Sequence, residues 1–419
     1  MQFIADFHLH SKYSRATSPQ MDLENLDKWA KIKGIKVLGT GDFTHPEWLK
    51  ELKEKLEPAE TGLFKLKSNL PAFVDETRFI FTAEISCIYS KGGRTRKIHI
   101  IIFAPSFEVV EKINTQLGWI GNLKSDGRPI LGLDAKELAK IVLNISGDCL
   151  IVPSHAWTPW FSIFGSRSGF DSVEECFEEY SKEIFAIETG LSSDPAMNWR
   201  LSALDRITLI SNSDAHSPSR IGREANIFDT ELNYSAITET IKTKNPTKFL
   251  YTIEFFPEEG KYHYDGHRLC EISLNPTETK KYNGICPACG KPLTIGVLNR
   301  VEQLADRPEG FKPENAIPFK SLVPLTEIIA DALGLTVGTK QVEGEYKNLI
   351  EKFKNEFNIL IGLPKAELEA VTLPEIAEGI TRVREGKLDI EPGYDGIYGK
   401  IRIFSKGEQK TVSRQKTLF

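Results

Sequence analysis

Seven apolar, strand-like stretches in the first half of the chain each carry or adjoin a His, Asp or Glu side chain. They are FIADFHLH, KVLGTGDFTH, RFIFTAEISCIY, RKIHIIIFA, CLIVPSH, IFAIETG and ITLISNSDAH. Imidazole and carboxylate groups are the common protein ligands of zinc and related divalent metals. Because the functional side chains of a β/α barrel gather at one end of its strands, this series predicts a barrel whose mouth holds divalent metals.

The spacing of these candidate ligands agrees with the period of a β-strand. Successive side chains of a strand point to opposite faces, so residues i and i+2 share one face. His8 and His10 are therefore predicted to point together, and Asp214 and His216 repeat that arrangement at the end of the series. A single histidine on an apolar strand is more often a satisfied core residue, but the whole set favours a metal site.

A hairpin is predicted to bring two further candidates together. The segment SKGGRT lies between two apolar runs and has the composition of a tight turn. Glu84 lies eight residues before Gly92 and His99 lies seven residues after it. Pairing of the two strands would therefore make Glu84 and His99 near neighbours.

This series of motifs resembles the polymerase-and-histidinol-phosphatase (PHP) family of metal-dependent phosphoesterases. The matching pieces are an opening HxH, a TGD, a strand glutamate, a strand histidine, PSH and a closing SDAH, with the ligands His8, His10, Asp42, Glu84, His99, His155, Asp214 and His216. The resemblance implies a distorted seven-stranded β/α barrel with two or three divalent metals, zinc or alternatively magnesium or manganese. It implies catalytic roles for four of the ligands, namely Glu84, His155, Asp214 and His216.

The second motif departs from the family pattern. The family has a His directly after the motif's Asp, whereas here Phe43 follows Asp42 and the next histidine is His45. Either Asp42, His45 or both are therefore candidate metal ligands. The stretch SKYSRA after the opening HxH also lacks the further ligand that family members often carry there.

Composition limits the classes of protein that remain. The 419 residues carry 53 Lys plus Arg and 58 Asp plus Glu, a formal charge of -5. Nucleic-acid contacts must therefore be local rather than the result of a general basic field. The first strand begins near the N-terminus, which leaves no room for a signal peptide, and no apolar run reaches membrane-spanning length. With only Cys286 and Cys289 closely paired among six cysteines, a reducing cytoplasmic location is expected.

Four segments are predicted along the chain. Residues 1–256 form the barrel, 260–300 a zinc ribbon, 313–404 a helical C-terminal domain and 405–419 a disordered tail. Helices alternate with the barrel strands. An example is DLENLDKWAKIKG, with Asp22 as the N-cap and Gly34 as the C-cap.

A second metal site is predicted in the ribbon. Two ligand pairs with two-residue gaps, HRLC and CPAC, supply His267, Cys270, Cys286 and Cys289. Such gaps let a tight knuckle aim both ligands at one ion, and four protein ligands leave no position open for chemistry. The site would therefore hold one structural zinc. His263 competes with His267 for the first position, and two thiols without a metal are the remaining alternative.

An aromatic and glycine-rich segment follows one ligand histidine, in HAWTPWFSIFGSRSGF. Trp157, Trp160 and Phe161 are candidates for stacking on a DNA base, and the alternative is a packed aromatic lid. Backbone donors could bind a phosphate in the short run Gly165, Ser166, Arg167 and Ser168. Three arginines near the first and last motifs are candidate phosphate clamps, or ordinary surface residues, namely Arg15, Arg220 and Arg223.

The C-terminal segment QKTLF has the start of a sliding-clamp-binding box. Gln415, Leu418 and Phe419 match a pattern in which an aliphatic and an aromatic side chain enter a groove of the clamp (PCNA). Five residues also match easily by chance. The motif is either minimal or part of a longer sequence.

The order of barrel, ribbon and helical domain resembles the archaeal endonuclease Q branch of the PHP family. The resemblance covers almost the whole chain, through FHLHSKYS, GTGDFTHPEW, SNSDAHSP, CPACGKPL and PGYDGIYGKI. It implies a DNA repair endonuclease that uses metal-activated water to cut 5′ of hypoxanthine, uracil, xanthine and abasic sites. A PHP-family phosphatase of small phosphate esters is the alternative. The retained ligand set argues against a non-enzymatic adaptor.

Overall fold

The computed structural model describes residues 1–67 and 76–405. Its strands in chain order are β1 (Gln2–Asp6), β2 (Val37–Gly39), β3 (Leu56–Pro58), β4 (Phe64–Leu66), β5 (Arg78–Lys91), β6 (Arg94–Ala104), β7 (Ile130–Leu131), β8 (Leu150–Pro153), β9 (Ala186–Glu188), β10 (Thr208–Ile210), β11 (Ala225–Asp229), β12 (Phe249–Glu254), β13 (Asp265–His267), β14 (Ile272–Leu274), β15 (Phe319–Ser321), β16 (Asp389–Glu391) and β17 (Lys400–Arg402).

The α-helices alternate with the strands in the first half and dominate the second half. They are α1 (Leu23–Lys33), α2 (Pro46–Lys55), α3 (Phe107–Gly118), α4 (Ala135–Ile145), α5 (Val173–Phe177), α6 (Pro195–Asn198), α7 (Tyr234–Lys242), α8 (Pro276–Lys281), α9 (Val297–Leu304), α10 (Leu325–Leu333), α11 (Lys340–Phe353), α12 (Lys365–Glu369) and α13 (Pro374–Arg384). Short 3-10 turns lie at Glu178–Glu183, Ser202–Leu204, Pro218–Arg220, Pro257–Glu259 and Arg268–Cys270, and a π turn lies at Asn358–Gly362.

The predicted caps of α1 are confirmed. The Asp22 side chain accepts a hydrogen bond from the Asn25 amide, and Gly34 has a φ of 90°, which a residue with a Cβ rarely adopts. A side chain built on Gly34 would also collide with Asn355. The helix therefore begins and ends where its sequence predicts.

Eleven strands of the described chain form one sheet. The order is β15-β12-β11-β1-β2-β5-β4-β3, with β6 and β7 paired to β5 and β8 paired to β6. Strand β1 is parallel to β2 and antiparallel to β11. Strands β9 and β10 form a separate parallel pair, and an isolated bridge from Leu9 to Ala215 connects the segment after β10 to the segment after β1. The predicted mixed α/β fold with parallel strands is confirmed, whereas the count of seven barrel strands stays a prediction.

One apolar cluster lies among these strands. It receives buried side chains from β1, β2, β5, β6, β8, β9, β10, β11 and β12, among them Phe3, Val37, Ile80, Phe103, Val152, Ala186, Ile210, Phe228 and Phe249. Each strand contributes a side chain to the same interior, and helices such as α1, α3 and α4 pack through a second cluster. The strand ends are thereby held in fixed positions around one core.

The hairpin predicted between Glu84 and His99 is confirmed. Strands β5 and β6 pair in antiparallel register from Phe81 opposite Ala104 to Lys91 opposite Arg94. Gly92 and Gly93 form the turn with φ of 61° and 71°, the positive values that a two-residue hairpin turn needs.

The region after residue 256 contacts the eleven-stranded sheet directly. Strand β15 pairs in parallel with β12, so the part predicted as helical also adds a strand to the sheet. The Lys33 ammonium at the end of α1 lies 2.7 Å from the Glu356 carboxylate, which also accepts the Tyr346 hydroxyl hydrogen. This ion pair is buried and joins the first helix to the C-terminal helices. In the described residues, none of the helices combines the length and apolar character needed to cross a membrane.

Candidate active site

Two histidines of the opening HxH are each held by a carboxylate. His8 Nδ1 lies 3.0 Å from both carboxylate oxygens of Glu188, and His10 Nδ1 lies 3.0 Å from Asp42 Oδ1. In metal sites such a carboxylate fixes the tautomer and orientation of the ring and leaves Nε2 for the ion. Glu188 also accepts the His155 amide hydrogen at 2.8 Å, so one carboxylate orients two strand ends.

The opposite ring nitrogens point into a common space. His8 Nε2, His10 Nε2, Glu84 Oε1 and Asp214 Oδ1 are buried atoms that make no well-aligned hydrogen bond within the described residues. They lie close together nonetheless, since His10 Nε2 is 3.2 Å from Asp214 Oδ1 and 3.4 Å from Glu84 Oε2. Because buried polar atoms rarely lack a well-placed partner, the convergence of these four atoms suits the binding of cations.

The ligand atoms fall into three groups that share members. In each group all ligand atoms lie within 4.8 Å of one another. His10 belongs to two groups and Glu84 to two, as in a site where neighbouring ions share ligands. The groups are His8, His10 and Glu84; His10, Asp214 and His216; and Glu84, His99 and His155.

Asp42, which is predicted to be a metal ligand, contacts other protein groups through both of its carboxylate oxygens. Its Oδ1 atom faces His10, and its Oδ2 atom accepts the Ser11 amide at 2.6 Å, the Ser11 hydroxyl at 2.7 Å and the Ser14 hydroxyl at 2.9 Å. Both carboxylate oxygens are thereby occupied by donors from the protein. Asp42 is therefore placed to orient His10, and its role as a metal ligand stays a prediction.

His45 lies apart from the three groups of ligand atoms. It belongs to none of them, and its ring stacks on Tyr13 at a centroid distance of 4.5 Å. It lies at the N-cap of α2, where Pro46 begins the helix. Burial lowers the pKa of His45, which favours the neutral ring against the tyrosine. Its role as a metal ligand in place of the histidine missing after Asp42 stays a prediction.

Strained backbone positions coincide with the site. Asp42, His155 and Asp214 have φ of 49°, 28° and 46°, a region that residues with a Cβ rarely occupy. Such strain persists only where the surrounding structure fixes it. A Cβ built on Gly127 would lie 2.2 Å from Asp42 Oδ2, so the neighbouring loop presses its backbone directly against that carboxylate.

The charges of the site are strongly coupled. Burial alone would lower the pKa of His8, but the carboxylates of Glu188, Glu84 and Asp214 hold it well above its ordinary value. Burial would raise the pKa of Glu84, yet His99, His8 and Arg128 hold it well below its usual range. The surroundings of Glu84 therefore favour its charged form.

His99 differs from His8, His10 and His155, whose pKa values are held above the ordinary value by nearby carboxylates. Burial lowers its pKa to about 4, although Glu84 Oε1 lies 3.0 Å from its Nδ1 atom. His155 Nε2 lies 3.2 Å from the same His99 nitrogen. A neutral ring is the form that binds a metal ion, so His99 is ready for that role without losing a proton.

Arg128 is a site residue that the sequence did not reveal. Its Nη1 atom donates to Glu84 Oε2 at 3.0 Å, and its side chain remains 25% exposed. Glu84 and Arg128 are 44 residues apart, in a strand and an unrelated loop, and Arg128 carries no motif. A cation beside the ligand cluster and open to solvent is placed to contact an anionic substrate.

The predicted arginine clamps separate into different roles. Arg223 donates from Nε to the Ser213 carbonyl at 2.8 Å and from Nη2 to the Asp214 carbonyl at 3.3 Å, so it fixes the end of the last motif. Arg220 forms an ion pair with Glu327 at 2.9 Å. Arg15 is largely exposed beside Asp126 at 3.3 Å.

Trp157 is not available to stack on a base, and that prediction is corrected. Its side chain is fully buried, packs against Phe164 at 4.8 Å between centroids, and donates from Nε1 to Asn198 at 2.8 Å. Trp160 is 41% exposed and contacts Tyr262 edge to face. Phe161 lies against the His99 ring at 4.7 Å. The segment thus has a buried anchor and an exposed aromatic tip.

The predicted phosphate cradle is only partly open. The Arg167 amide donates to the Pro159 carbonyl at 3.0 Å, and the buried Ser168 hydroxyl accepts the Phe161 amide hydrogen at 3.2 Å. These donors and acceptors maintain the loop itself. Gly165 is needed for close packing, because a Cβ there would lie 2.4 Å from the Thr158 carbonyl. Ser166 is exposed at the loop surface.

A cavity of about 710 Å³ opens beside this loop and the last motif. Its walls combine three parts of the chain, the first with Trp160, Arg220 and Arg223, the second with Glu259 and Tyr262, and the third with Glu327 and Tyr398. Cavities of roughly 300–1,000 Å³ suit small organic ligands. Lys261 approaches both the Tyr262 and Tyr398 rings, at 5.8 and 5.6 Å.

The four predicted zinc ligands converge. The ligand atoms of His267, Cys270, Cys286 and Cys289 lie within 4.8 Å of one another, and Cys289 Sγ is 3.5 Å from His267 Nδ1. The Cys286 amide donates to the Lys291 carbonyl and the Gly290 amide donates to the Cys286 carbonyl, which closes the knuckle. His263 is buried away from this group, so the competing assignment is not supported.

Several known proteins are similar to this chain. Residues 324–387 match the family model described as the MJ0043 C-terminal domain. An uncharacterized protein MJ0043 of Methanocaldococcus jannaschii is 36% identical over 259 residues, and the chain covers only 31% of its length. YqxK, an uncharacterized protein of Bacillus subtilis, is 28% identical over 412 residues, which are 95% of this chain and 98% of YqxK.

Two solved structures resemble the whole chain. The lesion-specific endonuclease PfuEndoQ of Pyrococcus furiosus superposes with a TM-score of 0.85 at 32% identity, over 96% of this chain and 95% of that one. Endonuclease Q in complex with a 27-mer duplex that has an abasic lesion at the active site gives a TM-score of 0.84, also at 32% identity, over 99% of both chains.

Proposed function

This chain belongs to the endonuclease Q family, and from that premise we propose that it cuts the DNA backbone at damaged nucleotides. The membership confirms the predicted resemblance and the prediction of a DNA-cleaving hydrolase. One observation supports the proposed chemistry most directly. Four buried ligand atoms, on His8, His10, Glu84 and Asp214, converge without a well-aligned hydrogen bond among the described residues.

The donor set fits divalent metals. Imidazole and carboxylate ligands suit zinc and manganese, and ligands shared between groups suit two or three ions close together. We propose six ligands, namely His8, His10, Glu84, His99, His155 and Asp214, with His216 as a seventh. Such ions, when bound, supply positive charge to the phosphate and make a water molecule acidic enough to react near neutral pH.

The surrounding side chains complete the site. Asp42 and Glu188 hold the two rings of the HxH motif, and Arg223 holds the backbone of Asp214. Arg128 is placed to bind a non-bridging phosphate oxygen, since it is charged and partly exposed beside Glu84. His216 is also partly exposed beside Asp214, so it is a ligand position open to solvent.

We propose that the cavity beside Trp160 receives the extruded nucleotide. A base inside a duplex cannot reach a recessed site, and extrusion is easiest where pairing is weak, as at uracil, hypoxanthine, xanthine or an abasic site. The Trp160 and Tyr262 rings offer apolar contacts at the cavity wall. A cut on the 5′ side is the polarity implied by the family resemblance.

The domain assignment is part of the same proposal. Residues 1–256 form a PHP-type barrel, 260–300 a zinc ribbon with one structural zinc, and 313–404 a mainly helical domain. The ligand atoms His267 Nδ1 and Cys289 Sγ lie 3.5 Å apart, and such a small knuckle has little core of its own without an ion. Its role would be to connect the barrel to the C-terminal helices.

The proposed clamp contact lies outside the described residues. Gln415, Leu418 and Phe419 belong to the segment 406–419, of which the structure gives no description. We propose that this segment binds a sliding clamp. Deleting residues 415–419 should leave nicking unchanged and abolish co-purification with purified clamp, whereas unchanged clamp binding would make the motif a chance match.

A phosphatase of small phosphate esters is the second candidate. The ligand cluster alone suits either activity, because both reactions need charge neutralisation at a phosphate. The cavity favours the nuclease, since three parts of the chain build its wall with Trp160, Lys261 and Tyr398.

End-labelled duplexes separate these candidates. Each duplex would carry one inosine, one uracil, one abasic site or a normal base, and p-nitrophenyl phosphate would be assayed in parallel. We expect a single nick 5′ of each lesion, little cutting of normal DNA and slow phosphatase activity. Equal cutting at normal bases, release of free base, or faster phosphatase turnover would contradict the proposal. Asp214→Asn serves as the inactive control.

A further inference from the structure

Lys97 lies on the same strand as the ligand His99. The two residues are two apart in β6, so their side chains share one face of the strand and lie about 7 Å apart along it. Glu84 faces the same side, since it pairs with Ile101 in the register and its Oε1 atom is 3.0 Å from His99 Nδ1. Lys97 is therefore on the face that carries these ligands, one step nearer to the hairpin turn.

The Phe161 ring connects Lys97 to the ligand cluster. Its centroid is 4.7 Å from the centroid of the His99 ring and 5.2 Å from the Lys97 ammonium nitrogen. These two distances place the Lys97 Nζ atom no more than about 10 Å from the His99 ring. A strand of duplex DNA rises about 3.4 Å per nucleotide. The ammonium is therefore within roughly three nucleotides of the ligand cluster, measured along such a strand.

The backbone around this contact is fixed. The His99 amide donates to the Phe161 carbonyl at 3.0 Å, and the Phe161 amide donates to the Ser168 hydroxyl at 3.2 Å. The Lys97 amide donates to the Ser168 carbonyl at 3.4 Å. Phe161 has a φ of 62°, a value that residues with a Cβ keep only where the surroundings hold them. The ring is thus a rigid support, over which cation–π attraction holds the Lys97 ammonium.

The charge of Lys97 is available to an anion. Among the described residues Lys97 makes no ion pair, and its side chain is only partly buried. Its neighbour across the ladder is the uncharged Ile88. Arg96, on the opposite face of β6, is by contrast occupied, because it stacks on Phe170 at 4.0 Å and donates to the Gly169 carbonyl. The strand therefore uses one cation to hold the neighbouring loop and presents the other beside the ligands.

We propose, on the basis of the proposed DNA repair function, that Lys97 binds a non-bridging oxygen of a backbone phosphate within about three nucleotides of the one that is cut. An ammonium on a flexible stem suits a phosphate oxygen, because it is a compact charge with three donors. Contacts to phosphates fix the register of DNA on a protein. Arg128 would contact the phosphate that reacts, and Lys97 would hold the same strand further along.

Single-turnover nicking of an abasic duplex by full-length variants tests this contact. We expect Lys97→Gln to raise the enzyme concentration that gives the half-maximal rate roughly three- to tenfold, and saturating enzyme to recover the rate. Since one phosphate contact fewer releases fewer counterions, the slope of log affinity against log salt should become shallower by about 0.9. Lys97→Arg should keep both values near those of the parent.

Lys248→Gln is the matched control, and it should behave as the parent does. This exposed lysine directly precedes β12. The first residue of β12, Phe249, is level with Phe3 through their shared neighbour Phe228. Lys248 is therefore at the end of the sheet opposite to the ligands, and its removal changes the net charge by the same amount.

Neutral phosphates identify the position that Lys97 contacts. A methylphosphonate would replace one phosphate at a time, at three positions on each side of the cut. At one position we expect the parent to lose about as much affinity as Lys97→Gln loses, and the variant to lose nothing further. Additive losses at every position, parent-like affinity of Lys97→Gln or an unchanged salt slope would overturn the proposal.

Elemental analysis separates a DNA contact from support of the metal site. Lys97→Gln should bind as much metal as the parent. A lower metal content would overturn the proposal, because Lys97 would then act by holding His99. Absence of nicking by the parent would instead refute the proposed function itself, and this contact with it.

Discussion

Replacing Asp42 with Asn tests whether this residue orients a metal ligand or binds the metal itself. Its carboxylate accepts from His10, from the Ser11 amide and hydroxyl, and from Ser14, at 2.6–3.0 Å. Burial would raise the pKa of Asp42, but His10 and Ser11 hold it below its ordinary value. In asparagine one of the two accepting oxygens is replaced by an NH₂ group, which donates. At least one of these contacts would therefore place two hydrogen-bond donors against each other.

The expected size of the effect follows from two general values. Loss of a carboxylate that orients a ligand histidine lowers metal affinity about 10–100-fold, which is about 1.4–2.8 kcal/mol. A hydrogen bond to a charged group contributes about 1.5–3 kcal/mol, so the two values agree. We therefore expect Asp42→Asn to bind the same number of metal ions as the parent, but with lower affinity. Nicking should be restored as the metal concentration is raised.

Chelator competition and elemental analysis at saturating metal provide the assay. The control is Asp134→Asn, which removes a carboxylate that caps α4 and contacts none of the histidines. Loss of a whole metal equivalent at saturation would refute the reasoning, because Asp42 would then be a ligand. Unchanged affinity would refute it as well, since the contact to His10 would have no effect.

Three further changes have definite expected outcomes. Arg128→Ala should lower nicking roughly 10–100-fold, the loss of one charge-assisted contact, with metal content unchanged by elemental analysis; a parent-like rate would exclude the phosphate contact. Burial raises the pKa of Glu254 from 4.5 to about 8. Between these two pH values the folded state keeps a proton that the unfolded chain has released, so the free energy of unfolding should fall as the pH rises from 4.5 to 8. Glu254→Gln should therefore show a flatter Tm against pH than the parent, and parallel curves would contradict this. Cys286→Ser should lose one zinc per chain and lower Tm, whereas equal zinc content in variant and parent would exclude the ribbon site.

Features set by short-range spacing could be predicted from the sequence. Alternation along a strand predicts that His8 and His10 point together, and the turn at Gly92 predicts the contact between Glu84 and His99. In both cases the backbone between the residues is regular, so their separation along the chain determines their geometry. The fourfold cluster of the ribbon follows from the same kind of local rule.

Features set by distant contacts could not be predicted in this way. Asp42 resembles a ligand by motif, yet its role depends on Ser11 and Ser14, about thirty residues earlier. Trp157 follows a ligand histidine, but its indole is buried in the core, where it donates a hydrogen bond to Asn198. Neither partner is marked by a motif, so their effect on side-chain orientation appears only once the chain is folded.

The strand added by the C-terminal region has the same explanation. Strand β15 has only three residues, too few to show the alternation of a strand in the sequence. The helical pattern of the residues that follow therefore predicts helix for the whole region. Pairing of β15 with β12 depends on an edge that only the completed sheet provides. The buried pair of Lys33 and Glu356 then fixes the helices that follow.

The contacts of Glu188 connect metal binding to the strands around the site. Glu188 at the end of β9 holds His8 on β1's extension and the backbone of His155 beyond β8, so three strand ends depend on one carboxylate. The cations would occupy the opposite side of the same rings. Ions that bind the folded state alone stabilise it in proportion to their occupancy. Bound metal should therefore raise the free energy of unfolding of these strands together, because Glu188 connects His8 to the backbone of His155.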